Sequence, residues 1–316
     1  MHQNFPDNYL LSPEVAAALK QNRPLVALET TVITHGLPRP VNLSLGRDME
    51  KEVRSQSAVP ASIGLLDGKV HIGLLDADLE RIANAEEGIR KISSKDFGIA
   101  LARHEIGGTT VAGTLFAANK VGLHVMATGG IGGVHRGTTF DISSDLVELS
   151  HTPMIVVCAG AKAILDLPAT VEILETMGVP ILGYQTDVLP AFYSASSGLP
   201  VTASVTTPLE IAEIARSHWA AGLLSAILVV VPPPADMAIP SELIEQAIQQ
   251  ALDESHQLQI SGARVTPFLL RRVSELSSGA SLKVNLALLL NNARLAARIA
   301  VELTPILHLK PHQFLT

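Results

Sequence analysis

Cysteine is nearly absent: Cys158 stands alone in 316 residues, so no disulfide can close within the chain and no thiolate-built zinc site is available. A reducing, cytoplasmic setting is the expectation. Apolar runs long enough for a bilayer are also missing, because MIVVCAGA and SAILVVV are of strand length, well short of the roughly 20 residues a span needs. The amino terminus has no basic region leading into an apolar stretch, and Pro6 and Asp7 interrupt it, so no signal peptide and no membrane partner are expected. Basic tracts are lacking too. Lys and Arg total 23 against 30 Asp and Glu, a net charge of −7, which argues against nonspecific nucleic-acid binding.

What is present is a core. Apolar residues make up 47% of the chain and charged residues 17%, which excludes disorder, while the 3% aromatic content suits helices packed closely on a sheet. Strand-like runs occur at PLVALETTVI (24–33), ASIGLLDGKVHIGLL (61–75), FGIAL (97–101), HVMATGG (124–130), MIVVCAG (154–160), PILGYQT (180–186) and SAILVVV (225–231). Helical patterns lie between them: LGRDMEKEVRSQS, DADLERIANAEEGIRKI, TTVAGTLFAANKVG, ATVEILETMG and TPLEIAEIARSHWAAG. Gly88, Gly122, Gly178 and Gly222 stand at their expected ends. The alternation predicts an α/β fold with a central mostly parallel or mixed sheet flanked by helices. After residues 231–240 the pattern turns wholly helical. With no linker, repeat or low-complexity tract, this third is expected to pack on the sheet, making residues 1–316 one α/β domain.

Chemistry concentrates in the middle of the chain. MATGGIGGVHRG (126–137) runs from an apolar strand into four glycines within five residues, whose backbone N–H groups could form an anion-binding concavity or simply a tight loop. It is not a dinucleotide fingerprint, since His135 stands where the third glycine belongs, and no phosphate-loop spacing exists because Gly68-Lys69 is followed by Val70. Downstream, Asp141 and Asp145 flank Ser143 and Ser144. A helix starting near Ser143 would let Asp145 cap its first turn and the serine N–H groups hold a phosphate. Asp141 could then bind a hard divalent cation through oxygen and water, or merely cap the helix.

Lys162 follows the nearly wholly apolar MIVVCAG and a Gly160 turn. Burial lowers a lysine pKa by penalising the ammonium, so such a residue could attack a sugar aldehyde and form an imine; alternatively it could snorkel to solvent or bind phosphate as a point charge. Glu29 ends the run PLVAL. At the carboxyl end of a parallel strand, partial desolvation would raise its pKa and suit it to general acid–base work, with a structural hydrogen bond as the alternative. Asn285 and Asn292 lie seven apart among leucines, so each needs a buried partner.

Together ALETTVITHG, KI (91–92), TTVAGT, ATGGIGGVHRG, FDISSDLVEL, VVCAGAKAILDL, GVPILGYQTD, LPAF and KVNLALLLNNARLAARIA resemble the pseudouridine-5'-phosphate glycosidase family, from about residue 12 to 304. The resemblance implies reversible cleavage of the C–C glycosidic bond of pseudouridine 5'-phosphate to uracil and ribose 5-phosphate, with Mn²⁺ and a homotrimer. It implies Lys162 as nucleophile, Glu29 as proton donor and Asp141 as the metal ligand. Lys91, Val111, His135, Ser143, Ser144, Asp145 and Asn285 match substrate-binding positions. The chain departs from the family in a shorter connection, Thr138 and Thr139, between GVHRG and FDIS, and in serine where alanine is common at position 144. Two other classes share some of these features. A Schiff-base aldolase for a sugar phosphate would use Lys162 and Glu29 without metal or uracil, and a noncatalytic nucleotide-binding module would use the glycine loop alone.

Overall fold

The computed structural model describes residues 5–85, 88–137, 141–260 and 262–307. Its strands in chain order are β1 (Tyr9–Leu11), β2 (Leu25–Leu28), β3 (Val59–Leu66), β4 (Lys69–Ile72), β5 (Arg90–Ile92), β6 (Gly107–Thr109), β7 (Val125–Ala127), β8 (Val134–His135), β9 (Ile155–Cys158), β10 (Leu165–Asp166), β11 (Ile181–Tyr184), β12 (Ala203–Val205) and β13 (Ile227–Val230). The helices are α1 (Pro13–Lys20), α2 (Val41–Ser55), α3 (Asp76–Asn84), α4 (Phe97–Ala102), α5 (Val111–Lys120), α6 (Ser144–Leu149), α7 (Leu167–Thr176), α8 (Pro208–Ala220), α9 (Ser241–Gln257), α10 (Val265–Leu276) and α11 (Ala280–Leu307).

One sheet runs β1-β4-β3-β2-β7-β9-β13-β11-β12, with β6 and β5 added beside β3. From β3 to β12 every neighbouring pair along this path is parallel. Strands β2, β9 and β13 (LVAL, IVVC, ILVV) are buried at every residue, as parallel strands covered on both faces must be. The register pairs Leu28 with Ala127 and Ala127 with Val157. The carboxyl ends of β2, β7 and β9 are therefore level, and the residues that follow them converge. The expected sheet and flanking helices are both present, and α11 lies against β2, β7 and β9, burying Val284, Leu288, Leu289 and Leu295.

Local departures have identifiable causes. FGIAL is helix α4 rather than a strand, because a capping box between Ser93 and Asp96 starts a 3-10 turn that runs into it. A five-residue apolar run does not distinguish the two states by periodicity. Helix α3 stops at Asn84, well before Gly88, and IRKI instead supplies β5, paired in parallel with β6. Residues 61–75 form a hairpin turning at Asp67 and Gly68, both at positive φ (52° and 74°), the Asp-Gly signature of a tight turn. Gly122, Gly178 and Gly222 do follow helix ends in the left-handed conformation. Thr138 and Thr139, the shortened connection, lie outside the described residues.

Candidate functional site

The chain leaves β2 at Leu28, places Glu29 at the strand's carboxyl end and turns at once through a π-helical stretch, Val32–Gly36. Hydroxyl groups brace this turn. Thr30 Oγ1 donates to the Ile63 carbonyl (2.6 Å) and accepts from Thr109 N (3.0 Å), while Thr31 Oγ1 donates to the Gly108 carbonyl (3.1 Å). The two residues after Glu29 are thus tied to β3 and β6. Its carboxylate Oε1 accepts a short hydrogen bond from Thr128 Oγ1, the first residue after β7.

The loops after β7 and β9 are stitched to each other. Ala159 N donates to the Gly129 carbonyl (2.8 Å), Ile131 N to the Gly160 carbonyl (3.1 Å) and Lys162 N to the Ile131 carbonyl (3.1 Å). The glycine segment therefore sets the backbone position of Lys162. Gly130 allows the close approach: a Cβ there would lie 2.6 Å from the Phe192 ring. Further along, β8 pairs antiparallel with β10. Arg136 closes the arrangement, its guanidinium donating to the Leu165 (3.0 Å) and Ala163 (2.9 Å) carbonyls and pairing with Glu245 of α9.

Four of the expected residues, Glu29, Lys91, Lys162 and Asn285, line one cavity with Thr31, His35 and Phe192, and with Thr266 and Leu270 of α10. Glu29 is buried, and burial pushes its carboxyl pKa up; the Lys162 ammonium, the Thr128 hydroxyl and Lys91 pull the other way, and Asp145 adds to the rise. Lys91 reaches the cavity from β5. Its amine is pushed below the ordinary lysine range by burial and then by the Lys162 charge, against the pull of Asp145 and Glu29. His35 is likewise lowered by burial and by Lys91. The cluster is a desolvated acid beside two amines, a setting for proton transfer and amine chemistry.

The other expected residues stand outside that cavity lining. Val111 is the buried first residue of α5. Ser143 is the N-cap of α6, its Oγ accepting from Asp145 N (3.2 Å), and Ser144 is the first residue of that helix. Asp145 does not cap its own helix: its carboxylate accepts from Ala112 N (2.9 Å), at the start of α5, and from Gly132 N (2.8 Å). At Gly132 the anion met by the glycine loop is therefore the protein's own carboxylate. A Cβ at Gly132 would lie 2.3 Å from Ser143 Oγ, so this contact requires glycine. Asp141 is half-exposed, with Oδ2 2.8 Å from His135 Nδ1. Among the described residues no three His, Cys, Asp or Glu side chains gather to hold a metal. What Asp141 offers is one hard oxygen donor, which fits a Mg²⁺- or Mn²⁺-type ion that keeps most of its water. No helix among the described residues is long and apolar enough to cross a membrane.

Sequence reasoning passed over Thr128, His35 and Arg136 as site residues. Each stood in a motif already singled out, and for Thr128 the available signal was a polar side chain directly following a buried strand.

Residues 14–302 match the family profile described as indigoidine synthase A like protein. A protein of Solibacter usitatus named pseudouridine-5'-phosphate glycosidase is 49% identical over 295 residues, covering 93% of this chain and 98% of its own. A protein of the same name from Jannaschia sp. is 50% identical over 295 residues, covering 93% and 97%. In structure, the prealnumycin C-glycosynthase AlnA in complex with ribulose 5-phosphate superposes with a TM-score of 0.88 at 39% identity, covering 96% of this chain and 99% of that one. An indigoidine synthase A-like protein from Thermotoga maritima gives 0.86 at 35% identity, covering 96% and 98%.

Proposed function

The chain belongs to the indigoidine synthase A-like family of pseudouridine-5'-phosphate glycosidases, and from that premise we propose how its own residues carry the reaction. It is a C-glycosidase that reversibly converts pseudouridine 5'-phosphate and water to uracil and ribose 5-phosphate. The observation that carries the mechanism is the convergence of Lys162, Lys91 and buried Glu29 on one cavity.

A carbon leaving group explains why these residues are needed. Uracil C5 must leave with the bonding electrons and be protonated, so an electron donor is required at C1' of the sugar. Lys162 Nζ bonds to C1' while the ring oxygen leaves and takes a proton from Glu29. The proton lost by the lysine nitrogen restores Glu29 to its acid form. The nitrogen lone pair then becomes the second bond of an imine as C1'–C5 breaks, and Glu29 delivers its proton to C5. Water hydrolyses the imine and frees Lys162 with ribose 5-phosphate. The burial that raises the Glu29 pKa favours the protonated form that both transfers require. Lys91, the Val111 backbone and the Ser143–Asp145 segment would receive the substrate phosphate, with His135 and Asn285 orienting the base.

Asp141 would hold Mn²⁺, whose chemistry when bound is to polarise a uracil carbonyl through its water shell. A homotrimer in the cytoplasm completes the reading; the lone, buried Cys158 suits a reducing compartment.

Borohydride trapping tests the mechanism. With ribose 5-phosphate present, reduction is expected to leave a pentose-phosphate adduct on Lys162 and none in Lys162→Ala. An active enzyme that shows no adduct on Lys162 would overturn the imine route. An adduct without uracil-dependent turnover would favour the aldolase alternative.

A further inference from the structure

We propose that Thr128 is the positioning residue of the acid: its hydroxyl occupies Glu29 Oε1, so that the transferable proton resides on Oε2. The inference rests on Glu29 acting as proton donor. Thr128 is fully buried between the end of β7 and the glycine run, and Thr128 Oγ1 donates to Glu29 Oε1. A carboxyl oxygen that accepts from a hydroxyl is the carbonyl-like one in the neutral acid, which leaves the other oxygen to carry the proton.

The threonine is itself held from two sides. Thr128 N donates to the Val157 carbonyl (3.0 Å), fixing it to β9, and Asn292 Nδ2 of α11 donates to the Thr128 carbonyl (2.8 Å). Asn292 is fully buried, which accounts for one of the two amides among the leucines of that helix. The acid is therefore oriented through a chain that starts in the last helix, passes through the Thr128 backbone just after β7 and ends at Oε1. A buried hydroxyl on a rigid strand end carries little rotational freedom to lose in the transition state.

The groups acting on Glu29 are Lys162 from the loop after β9, Lys91 from β5, Asp145 from α6 and Thr128 itself; His35, from the π-helical turn, shares the cavity. Of these, Thr128 donates to Glu29 without carrying charge, so it can be changed with the field of the others left in place. Donation to Oε1 also stabilises the carboxylate form. Loss of that donor removes a hydrogen bond to a charged group and moves Glu29 further up.

Thr128→Ser and Thr128→Ala form the controlled pair, since both lose the methyl group and only alanine loses the hydroxyl. Relative to serine, alanine is expected to shift the basic limb of kcat/KM upward by about one pH unit and to lower kcat roughly tenfold at neutral pH, with KM little changed. Serine is expected to stay near the parent profile. A fall in Tm for alanine with an unshifted pH profile would show Thr128 to be only structural and would overturn the proposal, as would equal profiles for serine and alanine. Borohydride adduct formation on Lys162 is followed in the same variants. Its persistence in alanine separates failure of this proposal from failure of the imine mechanism, which would abolish the adduct in the parent protein as well.

Discussion

Glu29, Lys91 and Lys162 sit within strands of the sheet or in the segments that follow them, with each side chain partly or wholly withdrawn from water. Asp141 and His135, a carboxylate and an imidazole in contact, are set just beyond the glycine loop, where the Asp141 side chain is 50% exposed. The first group owes its properties to burial, which shifts Glu29 up and Lys91 down. In the second pair Asp141 faces solvent, where screening leaves a charge contact worth little. In the proposed mechanism the covalent and proton-transfer roles fall to the cleft, and a graded, exchangeable role such as metal binding falls to the loop.

The sharpest way to break this comparison is in the cleft. Lys162→Ala is expected to reduce turnover of pseudouridine 5'-phosphate by a factor on the order of 10⁴ or more, because in the proposed mechanism its Nζ supplies the imine nitrogen. A residual rate close to the parent's in a uracil-release assay would remove the distinction between cleft and loop. Glu29→Gln should cost a factor of about 10² to 10⁴, the usual scale for a positioned acid. It should also change stability in the opposite sense to activity. The folded protein binds the Glu29 proton more tightly than the unfolded chain does. That stabilising contribution is complete below the ordinary glutamate range and is lost as pH rises through the folded value. Glutamine cannot lose the proton, so Glu29→Gln is expected to melt higher than the parent at about pH 8 and not at about pH 4 in thermal unfolding.

The parallel-strand framework and the strand-end position of Glu29 could be read from the chain, because LVAL, IVVC and ILVV are continuous apolar runs whose burial follows from the pattern itself. The proximity of Glu29 to Lys91 could not be derived from spacing. It depends on β6 returning antiparallel to β3 and carrying β5 with it, and IRKI read locally as the tail of a helix. The orientation of Asp145 was hidden for a related reason. Its nearest polar partner in sequence is the Ser143 cap, yet its carboxylate turns away to Ala112 N and Gly132 N, long-range contacts that no local rule ranks above a helix cap. Resemblance assigned roles to these positions. Local physical reading left each with two meanings.

Asp145 joins the two regions, and it supplies the next test. Its carboxylate ties the first turn of α5 to the glycine loop that positions Lys162. Asp145→Ala leaves two backbone N–H groups without their acceptor, one buried and one partly buried, which should cost about 3 kcal/mol of stability in denaturant unfolding. If the cleft depends on the loop's geometry, borohydride adduct formation on Lys162 should slow in the same variant under conditions where it remains folded. A stability loss with unchanged adduct formation would mean that the loop and the cleft are independent.

The loop itself should give the smallest effect. Asp141→Asn removes one formal charge and keeps the size and one oxygen of the side chain, so only cation affinity is asked of the change. The Mn²⁺ concentration for half-maximal activity is expected to rise about tenfold, with kcat at saturating Mn²⁺ within about threefold of the parent. Stability should move by less than about 0.5 kcal/mol, because the Asp141 side chain in its contact with His135 is half-exposed. Activation by Mn²⁺ that is identical in parent and variant would take the metal away from Asp141. A loss as deep as that of Lys162→Ala would instead place Asp141 among the groups that break the bond, and exposure would no longer divide the two clusters by function.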